Sequence, residues 1–455
     1  MKRTSTALLA LTLGTLSTTA HADEFIGTQL KSDASEQSKT EGFVEGSSLS
    51  GTTRNWYANE LKRRGGQFTY NDHGSTKTTP RRINWTQGTI LDFSSGFTQG
   101  TVGFSTQVAA YNAIALDRDV NHIAGNNNRT LTRSNGDAVD QWSKLGLANI
   151  KARISNTTLT VGRQNFSSPT LDVVGNRALP SSFQGVGLRS EEFNNLAFDA
   201  GSFDRVSPRT EQSLSKFRSE YGALGIETDR ASVAGLNYQP LKSLKTSLYA
   251  THVEDFWNQY YFGAVHEWGD TAVLGLNTNF NYYKTLDTGK KAMGEINNDA
   301  YSLAFGLTHQ AHTVSLSYQQ IVGDEYFDYL HETNGIYLAN SLLSDFNGPN
   351  EKSLQLGYSI NMAQYGIPGL KFNAYHARGW DIDGTHYKGT AYDVRNMNGE
   401  KHSEYSVGTS YAIQSGPLKA TAIRATYTTH RASKNQSDGN INEFRLVTTI
   451  PFNIL

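Results

Sequence analysis

The chain ends with the sequence FRLVTTIPFNIL, residues 444–455. Alternate positions of this stretch carry apolar side chains: Phe444, Leu446, Ile450, Phe452 and Ile454. The positions between them carry mostly polar ones: Arg445, Val447, Thr449 and Asn453. Because successive side chains of a β-strand point to opposite faces, the pattern predicts a strand with one apolar face that runs to the C-terminus. Strands of bacterial outer-membrane β-barrels have this pattern, with lipid on one face and a watery lumen on the other.

The first 22 residues have the features of an export signal. Lys2 and Arg3 are basic, residues 7–16 are mostly apolar, and Ala20-His21-Ala22 fits a cleavage site. The apolar stretch is too short for a transmembrane helix. We therefore predict a signal peptide at 1–22 and a mature barrel domain at 23–455.

The composition excludes a helical membrane protein but fits a barrel. Mean hydropathy is −0.50 and 37% of residues are hydrophobic, while a barrel needs lipid-facing side chains only at every second strand position. The absence of cysteine removes thiolate metal sites and thiol catalysis. Without Lys2 and Arg3, the 41 basic residues fall to 39 against 42 acidic ones. No overall basic surface therefore indicates nucleic-acid binding.

Segments with a period of two recur along the chain, for example from Ala272, Tyr301 and His312. Tight connections are predicted at these positions: 98–100, 156, 194–195, 240–241, 268–270, 310–311, 366–368 and 415–417. Long polar connections alternate with them: 63–80, 117–139, 166–182, 207–229, 254–258, 285–297, 323–350, 381–400 and 432–439. This alternation predicts an all-β, transmembrane antiparallel barrel of about 18 strands, with long extracellular loops.

A secreted β-sandwich or β-helix is the alternative fold class. Such a fold would need a dry core, whereas the chain places amides along one strand face at Asn277, Asn279 and Asn281. A solenoid would also need a repeat of fixed period, and the sequence has none.

Several motifs, in order along the chain, resemble those of the OprD family of outer-membrane channels. They are Gly42-Phe43-Val44-Glu45, Arg54-Asn55-Trp56-Tyr57, Trp85-Thr86-Gln87-Gly88, Arg177-Ala178-Leu179-Pro180, Ser344-Asp345-Phe346-Asn347-Gly348-Pro349, Gln414-Ser415-Gly416-Pro417 and Asn453-Ile454-Leu455. The resemblance covers essentially the whole mature chain. It implies an 18-stranded monomer whose loops at 166–182 and 323–350 fold inward and narrow the pore.

The resemblance also implies a ladder of arginines that guides carboxylate-bearing solutes. Its basic positions correspond to Arg82, Arg177, Arg424 and Arg445, and Asp345 corresponds to an acid of the seventh loop. A guanidinium keeps its charge and pairs bidentately with a carboxylate. A charge on the lipid face costs about 2–4 kcal/mol at the midplane, which favours a lumenal position for strand arginines. The alternatives are a headgroup contact for a strand arginine and a loop-bracing ion pair for Arg177.

Four further residues are secondary candidates for the solute pathway: Arg54, Arg63, Arg153 and Asn334. Arg63 lies just beyond Glu60, which stands where the family often has an arginine. Arg153 could extend the basic path or lie at a solvated periplasmic rim.

The seventh loop bears on the choice of solute. Asp345 is present, but Asn334 stands where the branch of the family that carries basic amino acids has a second acid, and Leu342 and Leu343 add apolar surface. We therefore predict uptake of carboxylates with an uncharged body, such as benzoate, vanillate or another aromatic or cyclic acid. The alternatives are a channel for basic amino acids or peptides and a general porin.

The sequence contains no H-E-x-x-H, G-x-S-x-G or Walker motif, and His309 and His312 flank a turn without helical ligand spacing. We therefore expect no cofactor, no metal and no catalysis, with an outer-membrane enzyme as the less favoured alternative. The expected partners are small carboxylate solutes, the lipid bilayer with its lipopolysaccharide, and the barrel-assembly machinery, but not nucleic acid. A monomer is expected, and a trimer is left open.

Overall fold

The C-terminal strand pairs with the strand before it and with the first strand, which closes the sheet into a ring. The computed structural model describes residues 25–72, 74–117, 131 and 139–455. The predicted signal peptide at 1–22 and most of the predicted loop at 117–139 lie outside these residues.

The described part of the chain contains 22 strands and one short 3₁₀ helix. In chain order they are β1 (Ser48–Lys62), β2 (Phe68–Asp72), β3 (Ser75–Thr79), β4 (Arg81–Ser94), β5 (Val102–Ala115), β6 (Gln141–Ile154), β7 (Thr157–Gln164), β8 (Ser182–Ser190), β9 (Leu196–Ser207), β10 (Phe217–Arg218), β11 (Glu227–Thr228), β12 (Ala231–Leu241), β13 (Leu244–Val253), β14 (Trp257–Asp270), β15 (Leu274–Asp287), β16 (Asn297–His309), β17 (His312–Val322), β18 (Lys352–Asn361), the 3₁₀ helix (Met362–Tyr365), β19 (Leu370–Asp383), β20 (Asn398–Ala412), β21 (Ala422–Ala432) and β22 (Ile441–Asn453). Among the described residues, no helix is long and apolar enough to cross a membrane.

Eighteen of these strands form one antiparallel sheet, and β2–β3 and β10–β11 form two separate hairpins. Each barrel strand pairs with its neighbour in the chain, with β9 pairing directly with β12. Tyr57 of β1 lies opposite Leu446 of β22 on one side and Trp85 of β4 on the other. The predicted barrel of 18 antiparallel strands is confirmed.

The predicted faces of the C-terminal strand are confirmed as well. Phe444 and Leu446 are 40% and 38% exposed on the outside, whereas Val447 is only 8% exposed. The strand ends at Asn453, however, two residues earlier than predicted. The last two residues both direct their backbone N–H to the carbonyl of Leu49, at the start of the partner strand, so no ladder remains for them to continue.

The two ends of the barrel differ in the length of their connections. We number the connections at one end as loops 1 to 9: 63–80, 116–140, 165–181, 208–230, 254–256, 288–296, 323–351, 384–397 and 433–440. Loop 5 is the exception in this set, with three residues only. Short turns join the strands at the other end, as predicted for the periplasmic side. Two predicted turns, at 240–241 and 268–270, are wrong, because β12 continues to Leu241 and β14 continues to Asp270. The Asp270 Oδ1 accepts a hydrogen bond of 2.8 Å from the Ala272 N–H, which starts the turn after the strand.

The largest apolar core lies inside the barrel, where loops 3, 4, 7 and 8 pack on the inner wall. Its members include Leu171, Phe183, Phe203, Phe217, Phe327, Leu330, Ile336 and Tyr387. Burial of such side chains removes apolar area from water and holds the loops inward. The predicted inward folding of the third and seventh loops is therefore confirmed.

Candidate functional site

Three arginines of the inner wall lie on neighbouring strands at successive levels. Arg54 is on β1, Arg424 is on β21 and Arg445 is on β22. Their levels can be read along β22, whose residue numbers fall toward loop 9. Arg54 lies opposite Thr449 and Arg424 lies opposite position 447, two residues nearer that loop. Arg445 itself is two residues nearer still. Since two strand residues span about 7 Å, the three charges form steps along the wall. We call these three residues the arginine staircase.

The three side chains of the staircase are engaged to different degrees. Arg424 is exposed, and within the described ranges it forms no hydrogen bond or ion pair. Arg445 Nη2 lies 2.7 Å from Glu443 Oε1, and its guanidinium carbon lies 5.7 Å from the centre of the Trp56 ring. Arg424 repels both Arg54 and Arg445 electrostatically. Like charges held in a low-dielectric channel create a potential that attracts anions.

Arg54 also holds loop 3 against the wall. Its Nη1 donates hydrogen bonds of 2.8 Å to the carbonyls of Gly175 and Arg177. On the adjacent strand, Gly88 makes room for the loop, because an added Cβ would lie 2.6 Å from the carbonyl oxygen of Ala178. A small buried cluster completes the contact: Trp56, Ala58, Ala178 and Val447. The backbone of Arg177 is thereby fixed beside the staircase.

The side chain of Arg177 connects loop 3 with loop 7. Its Nη1 lies 3.8 Å from Glu332 Oε1, and Arg209 of loop 4 donates to the same carboxylate, with Nε 2.8 Å from Oε2. Burial alone would raise the pKa of Glu332, but the charges of Arg209, His331 and Arg177 hold it well below its usual range. Glu332 is therefore ionised and offsets part of the positive charge here.

Loops 3 and 7 also meet through their backbones. Val173 pairs with Thr333 in an isolated bridge, and the Asn334 N–H donates a hydrogen bond of 2.9 Å to the Asp172 carbonyl. The Tyr337 hydroxyl donates to the Asp172 carboxylate at 3.1 Å. Asn334 itself is exposed. The two loops thus form one continuous unit inside the barrel.

Asp345 of loop 7 is held by hydroxyl groups. Tyr221, Tyr329 and Ser341 donate hydrogen bonds of 2.6, 2.7 and 2.6 Å to its carboxylate. In the described part of the chain, no lysine or arginine forms an ion pair with it. Burial raises the pKa of Asp345 despite these hydrogen bonds.

Of the other predicted basic residues, Arg63 and Arg153 lie away from the staircase, whereas Arg82 is level with Glu60 and Glu443, one step beyond Arg445. Arg82 is buried and forms a bidentate ion pair with Glu60, with Nε–Oε2 and Nη2–Oε1 distances of 2.7 and 2.8 Å. Arg63 is exposed in loop 1. Arg153 lies near the short-turn end, with its guanidinium carbon 3.8 Å from the centre of the Phe97 ring. In the sequence, Glu60 stands where the family often has an arginine, and this acid is the feature that could have indicated an ion-pair partner for Arg82.

Sequence reasoning missed Arg209 and the contacts around it. Arg209 is buried, and its Nη1 also donates to Asn176 of loop 3 at 2.5 Å. It lies in a loop, where no strand periodicity indicates which way a side chain points. A charged residue after Pro208 carried no signal that distinguished it from solvated loop charges.

A cavity of about 750 Å³ opens between loops 4 and 8, at the long-loop end of the barrel. Tyr221, Leu224 and Tyr392 give it apolar and aromatic surface. Arg395 and Asp393 give it charge of both signs.

A closed barrel with an apolar outer face, a charged inner wall and loops folded into its lumen defines an outer-membrane porin. Its location is therefore the bacterial outer membrane. The chain belongs to the OprD family, because residues 41–454 match the sequence model described as outer membrane porin, OprD family.

Named relatives agree with this assignment. Porin D of Pseudomonas aeruginosa is 36% identical, over 92% of this chain and 94% of the relative. The crystal structure of Pseudomonas aeruginosa OccD3 (OpdP) is 45% identical with a TM-score of 0.81, and the match covers 93% of this chain and 95% of that one. Pseudomonas aeruginosa OpdK, solved with vanillate, is 26% identical with a TM-score of 0.78, over 91% of this chain and all of that one. The chain is therefore an outer-membrane channel of the OprD family for small solutes.

Proposed function

We propose that this porin admits small carboxylate-bearing solutes along Arg54, Arg424 and Arg445. The observation that carries the proposal is the stepwise position of three like charges on adjacent strands, with Arg424 exposed and unpaired in the described part of the chain. A guanidinium stays charged at every physiological pH and binds a carboxylate with two parallel hydrogen bonds. Several weak sites in series favour passage over trapping.

Arg82 and Arg177 have different roles in this proposal. The guanidinium of Arg82 is occupied by Glu60, so we assign Arg82 to bracing the wall. Arg177 lies where loop 3 meets the staircase, and it shares the charge of Glu332 with Arg209. We therefore propose that Arg177 adds positive potential at the constriction without being the main binding group.

Aromatic and cyclic acids such as benzoate and vanillate are our first proposal for the solute. The cavity at the long-loop end offers Tyr221 and Tyr392 for ring contacts and Arg395 for a carboxylate. The likeness to OpdK, which was solved with vanillate, is compatible with this choice.

A carboxylate that also carries a positive charge, such as an amino acid, is the second candidate. Asp345 and Asp172 supply acidic groups on loops 7 and 3, and both are hydrogen-bonded to hydroxyls. These observations favour a zwitterionic solute over a purely anionic one if the acids line the solute's path.

Liposome swelling tests the two candidates against each other. Liposomes with the purified porin are challenged with benzoate, vanillate, arginine and an uncharged sugar, and rates from protein-free liposomes are subtracted. Faster entrance of benzoate than of arginine supports the first candidate, and the reverse order supports the second. Rates that follow molecular size alone would indicate a general porin and contradict the proposal.

A further inference from the structure

Two histidines and an aspartate converge near the loop end of the wall, outside the arginine staircase. His402 is on β20, His430 is on β21 and Asp438 is in loop 9. One ligand atom from each lies within 4.8 Å of the others. The two histidines are only 3% and 1% exposed. Buried groups of this kind need defined partners.

Hydrogen bonds on the far side of each ring fix the histidine tautomers. His430 Nδ1 lies 2.7 Å from the Gly439 carbonyl oxygen, which can only accept, so this nitrogen carries a proton. His402 Nε2 lies 2.5 Å from Glu351 Oε1. An ionised carboxylate can only accept a hydrogen bond, so His402 Nε2 also carries a proton. The two remaining nitrogens, His402 Nδ1 and His430 Nε2, face each other at 2.7 Å. In neutral rings both are lone-pair acceptors, so their approach needs a positive charge: a proton shared at this distance, or a metal ion once the two nitrogens move apart.

Asp438 completes a negatively charged side of this site. Its Oδ2 accepts hydrogen bonds of 2.6 Å from Ser344 and 2.9 Å from Gln436. Its Oδ1 has no hydrogen bond among the residues described. Ser344 Oγ also lies 3.5 Å from His402 Nδ1. The ring of Phe346 stacks on His402 with a centroid distance of 4.1 Å, which covers one face of the imidazole.

We propose that His402, His430 and Asp438 bind a divalent transition-metal ion of the Zn²⁺ class. Two imidazole nitrogens and one carboxylate oxygen suit Zn²⁺, with bonds of about 2.0–2.2 Å and a fourth position for water. Tetrahedral bonds of this length place ligand atoms about 3.3 Å apart, so the two nitrogens separate slightly to admit the ion. Ligating histidines characteristically donate their other N–H to a carboxylate or a backbone carbonyl, as Glu351 and Gly439 provide here.

The ion would join the wall to the constriction. Two strands and loop 9 supply the ligands, while Ser344 and Glu351 of loop 7 hold Asp438 and His402. Loop 7 is one of the two loops that narrow the pore. Occupancy of the site therefore braces residues 344–351 of loop 7 against β20 and β21.

The test uses untagged, chelator-treated porin in detergent, titrated with Zn²⁺ by calorimetry and with Co²⁺ by its visible absorption. We expect one ion per chain in the native protein. His430→Gln and Asp438→Asn should each weaken binding at least about tenfold, and Glu351→Gln by about 10–100-fold through the orientation of His402. His309→Gln, at the exposed last residue of β16, is the matched control and should leave binding unchanged.

The proposal would be overturned if the native protein did not bind Zn²⁺. It would also be overturned if His430→Gln and Asp438→Asn bound Zn²⁺ with the affinity of the native protein. Either result would leave a proton shared by the two histidines as the positive charge at this site. Heat-dependent gel migration checks that each variant is folded. X-ray absorption of the native protein with one Zn²⁺ is independent of the variants. It should show two imidazole ligands, and a coordination shell without imidazole would also overturn the proposal.

Discussion

Arg54 Nη1 lies 2.8 Å from the backbone carbonyl oxygen of Arg177, so one basic residue of the barrel wall fixes the position of another on the inward loop. The same nitrogen donates to Gly175. The geometry of the constriction therefore depends on the wall cation as well as on the loop sequence.

Replacing Arg54 with Gln should release loop 3. Two charge-assisted hydrogen bonds are lost, each worth about 1.5–3 kcal/mol, so single-channel conductance should rise and become noisier. Arg54→Lys keeps the charge but lacks the planar fork. It should therefore disturb conductance while retaining more of the anion preference. Native conductance in Arg54→Gln would show that the loop does not depend on this contact.

Gly88→Ala should displace loop 3 by steric contact alone. The new Cβ would lie 2.6 Å from the Ala178 carbonyl oxygen, and backbone on both sides leaves little freedom to adjust. We expect altered conductance with no change in wall charge. Gly306→Ala is the control, since its Cβ would meet only ordinary contacts at 3.9 Å or more. Equal conductance in both variants would refute the close approach.

Loop 7 should pack more firmly at acidic pH. Burial raises the pKa of Glu325 to about 7 and that of Asp328 to about 6. For a carboxyl whose folded pKa exceeds its unfolded one, the stabilisation is complete below the unfolded pKa and is lost as pH rises through the folded pKa. The window here runs from about pH 4 to pH 7. Glu332 has the opposite shift, and its stabilisation is present above its unfolded pKa, so it does not oppose the change between pH 5 and pH 8.

Hydrogen exchange over 323–351, corrected for intrinsic rates, measures this effect. Protection should be higher near pH 5 than near pH 8, and a Glu325→Gln/Asp328→Asn double variant should show a smaller difference, with Asp345 and Glu404 accounting for the remainder. Protection that is equal at both pH values in the native protein would contradict the assignment.

The Arg82–Glu60 pair should affect stability and leave selectivity unchanged. Arg82→Gln removes the bidentate partner of a buried carboxylate, which typically costs about 3–5 kcal/mol. The temperature at which the folded band disappears from gels should therefore fall. The Arg82→Gln/Glu60→Gln double variant should recover most of the loss. A strong loss of anion preference in Arg82→Gln, with unchanged stability, would instead make Arg82 part of the solute pathway.

Sequence patterns predicted the barrel because a period of two fixes which side chains face lipid. The same parity assigned Arg424 and Arg445 to the inner wall, since apolar neighbours such as Tyr427 and Phe444 occupy the other face. The predicted ends of strands were less accurate than the predicted faces. At Asp270, for example, one side-chain hydrogen bond to the Ala272 N–H starts the turn and so sets the last strand residue.

Contacts across strands and between loops could not be predicted in this way. Parity tells which face a residue lies on, but not which neighbour the register places beside it. The partner of Arg209 is 123 positions away. His402 and His430, 28 positions apart, meet only because β20 and β21 pair. Such sites depend on register and loop packing, which single-sequence patterns do not encode.

The most direct test of the carboxylate pathway is the reversal potential of single channels across a gradient of potassium benzoate. The native protein should favour benzoate over potassium, and Arg424→Gln should lower the permeability ratio by about tenfold or more, as expected for loss of a charge-assisted hydrogen bond. Arg63→Gln, at an exposed loop position, should leave the ratio unchanged. A ratio in Arg424→Gln equal to that of the native protein would contradict the account.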